Sequence, residues 1–169
     1  PEWPDGITVR TADIEQDLRA IVEADVEAFR DHWGHVDRPF EDELEGWRSH
    51  VDSRGEKLDP TLWFLAVDED EIVGFSVCSG HIADDASRGY VDGLCVRPAW
   101  RRRGIALALL RHGFGELYRR GRSAVELDMD SENLTGAFRL YERAGMRVIR
   151  QTINYERVLR DGKDLVKRA

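Results

Sequence analysis

Two runs in the first third of the chain carry apolar residues at helical spacing, and the remaining chain alternates strand patterns with two further helical ones. Ile14, Leu18, Ile21, Val22, Val26 and Phe29 recur every three or four positions behind Asp13, whose carboxylate suits a helix N-cap. Phe40, Leu44, Trp47 and Val51 do the same after Pro39, so the spacing predicts a second helix from Phe40 to about Arg54. Ahead of both, Ile7-Thr-Val-Arg10 reads as a first strand. Beyond them, the apolar runs Leu62 to Val67 and Ile72 to Cys78 are joined by Asp68-Glu-Asp-Glu71, a hairpin pattern. Gly89 to Val96 is the next strand, followed by a helix from Gly104 to about Arg119 that Gly121 closes. Val125 to Met129 is a strand, Asn133 to Ala144 a helix stopped by Gly145, and Met146 to Ile149 with Thr152 to Leu159 a last pair of strands. The order β-α-α-β-β-β-α-β-α-β-β, with no internal repeat or linker, predicts a mixed α/β fold of α+β character. About seven strands, mostly antiparallel, would form one domain over residues 1–169.

Composition narrows the partners. A chain of 169 residues can bury enough surface to fold without a disulfide or a cofactor. Cys78 and Cys95 both lie inside apolar runs and read as buried, reduced thiols. With no apolar window long enough to span a bilayer and no charged-then-apolar leader, the expectation is a cytoplasmic protein without a membrane partner. The formal charge of −8, from 33 acidic and 25 basic residues, argues against a nucleic-acid partner and leaves room for a cationic substrate. The basic residues are unevenly placed: Arg97, Arg101, Arg102 and Arg103 crowd one short stretch.

That stretch is Val91-Asp-Gly-Leu-Cys-Val-Arg-Pro-Ala-Trp-Arg-Arg-Arg-Gly-Ile-Ala106. A strand stops at Pro98, a loop turns through arginines and Gly104, and a helix opens at Ile105. Free backbone N–H groups at a helix N-terminus, with the positive end of the helix dipole, suit a phosphate. A second block, Leu127-Asp-Met-Asp-Ser-Glu-Asn133 with Ala137 and Leu140-Tyr-Glu-Arg-Ala-Gly-Met146, has strand-then-helix character.

Together the two blocks resemble the GCN5-related N-acetyltransferase (GNAT) family, and the resemblance spans nearly the whole chain. The Arg101-x-x-Gly104-x-Ala106 spacing is similar to the family's pyrophosphate loop, with alanine where a third small residue is commonly glycine. Leu140-Tyr-x-x-x-Gly-Met146 is similar to a motif that usually ends in an aromatic residue. The second half looks especially like the C-terminal half of mycothiol synthase-like two-domain enzymes, which acetylate the cysteine amine of a sugar-linked thiol precursor.

The resemblance implies acetyl-CoA as the acetyl donor, no metal, an amine as acceptor, and a splayed parallel pair at strands four and five. It also implies the homodimeric state common among relatives. The coenzyme would be held by Leu94, Cys95, Val96, Arg101, Arg102, Arg103, Gly104, Ile105, Ala106, Asn133, Ala137 and Tyr141. Tyr141 would stabilise or protonate the departing thiolate.

Attack requires a neutral amine. A lysine-like amine is neutral in about one molecule in 2,500 at pH 7, a cost of about 4.6 kcal/mol, whereas an α-amine costs only about 1.4 kcal/mol. A general base is therefore valuable for the first and nearly optional for the second. Asp128 and Asp92 are the leading candidates, with Asp130 a third; each also has a reading as a structural or substrate-orienting carboxylate. His32, Trp33, His35, Trp47, Trp63 and His81 are either acceptor-pocket or ordinary core residues. The acceptor is expected to be a small molecule. A protein N-terminus or lysine is one alternative, and a non-catalytic acyl-CoA-binding domain is the other.

Overall fold

The computed structural model describes residues 1–30, 36–82, 85–129, 136–153, 155, 157, 159 and 160. Five strands and four α-helices run in the order β1 (Ile7–Thr11), α1 (Ile14–Phe29), α2 (Phe40–Arg54), β2 (Trp63–Asp68), β3 (Glu71–Ser79), β4 (Arg88–Val96), α3 (Ile105–Arg119), β5 (Ala124–Glu126) and α4 (Ala137–Arg143). The helical spacing of the first third becomes α1 and α2 with the expected starts. Asp13 caps α1 by accepting from the backbone N–H groups of Glu15 and Gln16.

The strands form one sheet in sequence order, antiparallel from β1 to β4 and parallel between β4 and β5. Side chains of β2 alternate between two apolar layers. Phe64 and Ala66 join Ile105, Leu109, Leu110 and Leu117 of α3 on one face. Trp63, Leu65 and Val67 join Ile21, Ala24 and Ala28 of α1 on the other. Burial on both faces explains why β2 and β3 read as unbroken apolar runs. At Gly89 a Cβ would lie 2.8 Å from Leu117, so a side chain there would push α3 off the sheet.

The final pair of strands expected from the sequence is not found among the described residues, and 154, 156 and 158 of the second lie outside them. Residues 146–153 belong to no strand there, and Val148, Ile149 and Ile153 are exposed. An alternating pattern makes a strand only where a neighbouring edge completes its hydrogen bonds, and β5 contributes three paired residues. The sheet therefore has five strands among the described residues, not seven. The helix expected from Asn133 is seen from Ala137, residues 130–135 lying outside the described part.

Asp25 faces α2 from α1 and accepts a hydrogen bond from the Trp47 side chain; burial pushes its carboxyl up from 3.8 to about 6. An acid raised in this way contributes stability that is full below pH 4 and is lost as pH rises through about 6. Asp25→Asn keeps an oxygen for Trp47 and removes the charge. It is expected to melt higher than wild type at pH 8 by about 2–4 °C, on the order of 1 kcal/mol, and to converge with wild type near pH 4. Thermal melts across that range test this.

Candidate functional site

The parallel pairing of β4 with β5 covers only Arg88–Ala124, Gly89–Val125 and Tyr90–Glu126. From Val91 to Val96, β4 is bonded to β3 on one side and to no described strand on the other. Among the described residues, six residues of backbone thus present an unpaired edge, which an extended amide-bearing ligand can join as a strand would. The register with β3 slips at the head of this edge: Gly93 faces Val77 and Val91 faces Cys78, so Asp92 is the extra residue of a β-bulge.

The edge leads into the loop before α3. Gly104 adopts φ +91°, a left-handed conformation suited to glycine, and its added Cβ would meet no protein atom within 4 Å. The space above it is open. A cleft of about 170 Å³ is lined there by Val96, Arg102, Gly104, Ile105, Leu140 and Arg143, among others. Leu94 and Ala106 pack against the apolar layer beside Ile105, while Cys95 is buried on the α1 side with its thiol pushed up by burial.

The arginines of the loop divide into two kinds. Arg97 bonds Glu27 at 2.6 Å and Glu71, and lies over the Trp100 ring. Arg101 donates to the carbonyls of Ala28 (2.6 Å) and Val96 (3.2 Å), supplying the last turn of α1 with a cation its own sequence lacks. Arg103 reaches Asp68 and the Asp5 carbonyl. These three brace the loop. Arg101 lines the cleft together with Arg102 and Arg143, but among the described residues only the last two have guanidinium groups without a protein partner. Arg143 comes from α4 and carries no local sequence signal; only the packing of α4 on α3 places it there.

Tyr141 lies on α4 with Leu140 and Ala144, partly buried against the layer containing Leu94 and Ile105. Burial raises its phenol above the ordinary 10, so it is a proton donor at neutral pH. Ala137 opens the same helix. Asn133, Asp130, His32, Trp33 and His35 lie outside the described residues.

The two leading carboxylates gather near Tyr90, on the sheet face that α2 covers. Tyr90 and Ser79 are cross-strand partners and so share that face. Asp92 accepts from Ser79 at 2.5 Å and from Arg54, the last residue of α2, at 2.8 Å. Arg54 also donates to Ser79 at 2.8 Å and to Nε2 of His50 at 3.1 Å. Asp128 accepts from the Tyr90 hydroxyl at 2.9 Å. Arg54, Ser79 and Tyr90 were not legible as site residues, because α2 meets the bulge only in three dimensions. Trp47, Trp63 and Phe75 pack edge to face at about 6 Å, with Trp63 buried, so Trp63 is core and not pocket lining.

Residues 18–146 match the model of the Acetyltransferase (GNAT) family. The chain belongs to that family. Among GNAT relatives, the mycothiol acetyltransferase of Streptomyces scabiei is 34% identical over 146 residues, 86% of this chain and 44% of its own length. That of Streptomyces bingchenggensis is 32% identical over 156 residues, 92% of this chain and 47% of its own. The chain spans less than half the length of these curated relatives. A GCN5-related N-acetyltransferase structure from Sphaerobacter thermophilus superposes with TM-score 0.69 and 46% identity, covering 87% of this chain and 43% of that one. The aminoglycoside N-acetyltransferase AAC(6')-Iy, solved with CoA, shares the fold at TM-score 0.65 and 17% identity, covering 93% and 97%.

Proposed function

We propose that this chain transfers an acetyl group from acetyl-CoA to the primary amine of a small molecule by direct attack. The observation that carries the reading is the unpaired β4 edge running into the left-handed Gly104 and the N-terminus of α3. An amide-bearing arm fits the first and a pyrophosphate fits the second. Acetyl-CoA supplies an acyl thioester. The chain's own part is to align it along Val91–Val96, hold its phosphates at Arg102–Ala106, and manage two protons. A carboxylate near Tyr90 takes one from the amine as the C–N bond forms. Tyr141 gives one to sulfur as the C–S bond breaks. The buried, neutral thiol of Cys95 favours direct attack over an acyl-enzyme. Kinship with the mycothiol acetyltransferases favours an α-amine, such as that of a cysteine amide, whose deprotonation costs little.

A screen of acetyl-CoA-dependent thiol release against amines and N-terminal peptides tests the reading. Transfer to small amines in preference to peptides is expected. Tight acetyl-CoA binding with no amine acetylated would reject it.

Arg102→Ala and Arg143→Ala are each expected to weaken CoA binding threefold to tenfold, less than a buried charge-assisted bond would lose because both side chains are exposed. The losses should shrink as salt rises. Arg101→Ala is expected instead to lower the melting temperature, since its side chain braces α1 and β4. Calorimetric titrations at two ionic strengths, beside thermal melts, separate the two classes.

A further inference from the structure

We infer that the acceptor amine docks on Asp128, which Tyr90 holds in position, and that Arg54 withdraws Asp92 from proton transfer. This rests on the acetyl-transfer reading and assigns its acceptor side.

The two carboxylates differ in what already surrounds them. Both oxygens of Asp92 are occupied, one by Arg54 and the other by Ser79. Arg54 is itself fixed by Ser79 and His50, so the pair forms a closed link between the end of α2 and the bulge of β4. An incoming ammonium would have to displace Arg54 or Ser79 to reach either oxygen. The link instead fixes the bulge where β4 parts from β5.

Asp128 stands two residues beyond Glu126, on the same face of the sheet as Tyr90, just past the last β4–β5 pair. Among the described residues its polar partner is the neutral Tyr90 hydroxyl, bonded to Oδ2. That leaves Oδ1 for an ammonium. Among the described residues around Tyr90, Arg54 offsets Asp92 and Arg88 offsets Glu126. The Asp128 carboxylate has no such cation among them, which suits an ammonium at the mouth of the open edge. Burial, together with Asp128 and Asp92, pushes the Tyr90 phenol up to about 12, so it stays a donor across the working pH range. Tyr90 is a positioning residue. The step balances simply: the ammonium N–H breaks, an O–H forms on Asp128, and the freed lone pair is available for attack.

The test uses the full chain with CoA bound and its tyrosines 13Cζ-labelled, the Tyr90 resonance being assigned with Tyr90→Phe. S-methyl-L-cysteinamide is the probe, an α-amine whose blocked sulfur does not disturb thiol detection. The Tyr90 resonance is expected to respond to the probe in wild type and in Asp92→Asn, and to be silent in Asp128→Asn. Tyr90 should also ionise at lower pH in Asp128→Asn than in wild type. In parallel thiol-release assays the acidic limb of the pH–rate profile should stay in place in Asp92→Asn and move up toward the pKa of the free amine, about 8, in Asp128→Asn. Tyr90→Phe should lower kcat/KM by about tenfold with CoA affinity unchanged. A wild-type resonance indifferent to the probe, or a response kept in Asp128→Asn and lost in Asp92→Asn, overturns the assignment. A protein that binds CoA and answers the probe but releases no thiol counts against acetyl transfer while supporting the docking site.

Discussion

Gly104→Asp is expected to weaken acetyl-CoA binding by about a hundredfold, equivalent to roughly 2.7 kcal/mol, with the fold intact. Gly104 is the N-cap of α3, and the position above it is open. Asp is a favourable N-cap residue and tolerates positive φ better than most side chains. Its carboxylate would accept from the N–H groups at the start of α3 and so occupy the site that a pyrophosphate needs. Charge-assisted bonds of about 1.5–3 kcal/mol each are then replaced by repulsion between anions. Gly104→Asn has the same shape and the same tolerance of φ without the charge, and should lose far less. Calorimetric titration of both variants, with thermal melts to show that each is folded, decides the matter. Equal affinity in Gly104→Asp and wild type would place the coenzyme elsewhere.

The second large effect is expected at Tyr141. Tyr141→Phe removes one oxygen from a side chain whose ring packs on the layer containing Leu94 and Ile105, so packing is kept. What is lost is a phenol that burial holds protonated well beyond neutral pH. Turnover should fall at least tenfold, and general-acid contributions commonly reach a hundredfold or more. Acetyl-CoA affinity should stay similar, because the ring's packing is kept and the long coenzyme is held mainly elsewhere. Steady-state kinetics beside a binding titration separates the two quantities. Unchanged turnover would remove the acid role and leave Tyr141 as a packing residue.

The helices were legible because each has a local cause. Asp13 caps α1, apolar residues at spacings of three and four give α1 and α2 their buried faces, and Gly104 opens α3. The shape of the loop before α3 was legible for the same reason, since a strand, a left-handed glycine and a helix N-terminus are contiguous in the chain. The last two strands are where local pattern misleads. Alternation at Met146–Ile149 and beyond shows what a segment can do at a sheet edge, whereas pairing depends on an edge far away in sequence.

The arginines show the same division at the level of single side chains. Composition marked Arg97, Arg101, Arg102 and Arg103 as one basic cluster facing an anion. Tertiary structure turns three of them onto Glu27, the Ala28 carbonyl and Asp68, and brings Arg143 from α4 to the cleft beside Arg102. Likewise the sequence put Asp128 ahead of Asp92 without a physical distinction between their surroundings, which came when α2 delivered Arg54 to one and β4 delivered Tyr90 to the other.

By itself, then, the sequence determined the helices and the paired strands around them, because each depends on neighbours along the chain. Which charges are spent on structure and which remain for a ligand was decided only by the fold. A side chain's free capacity depends on the partners that other elements bring within about 3 Å, and no local pattern records them.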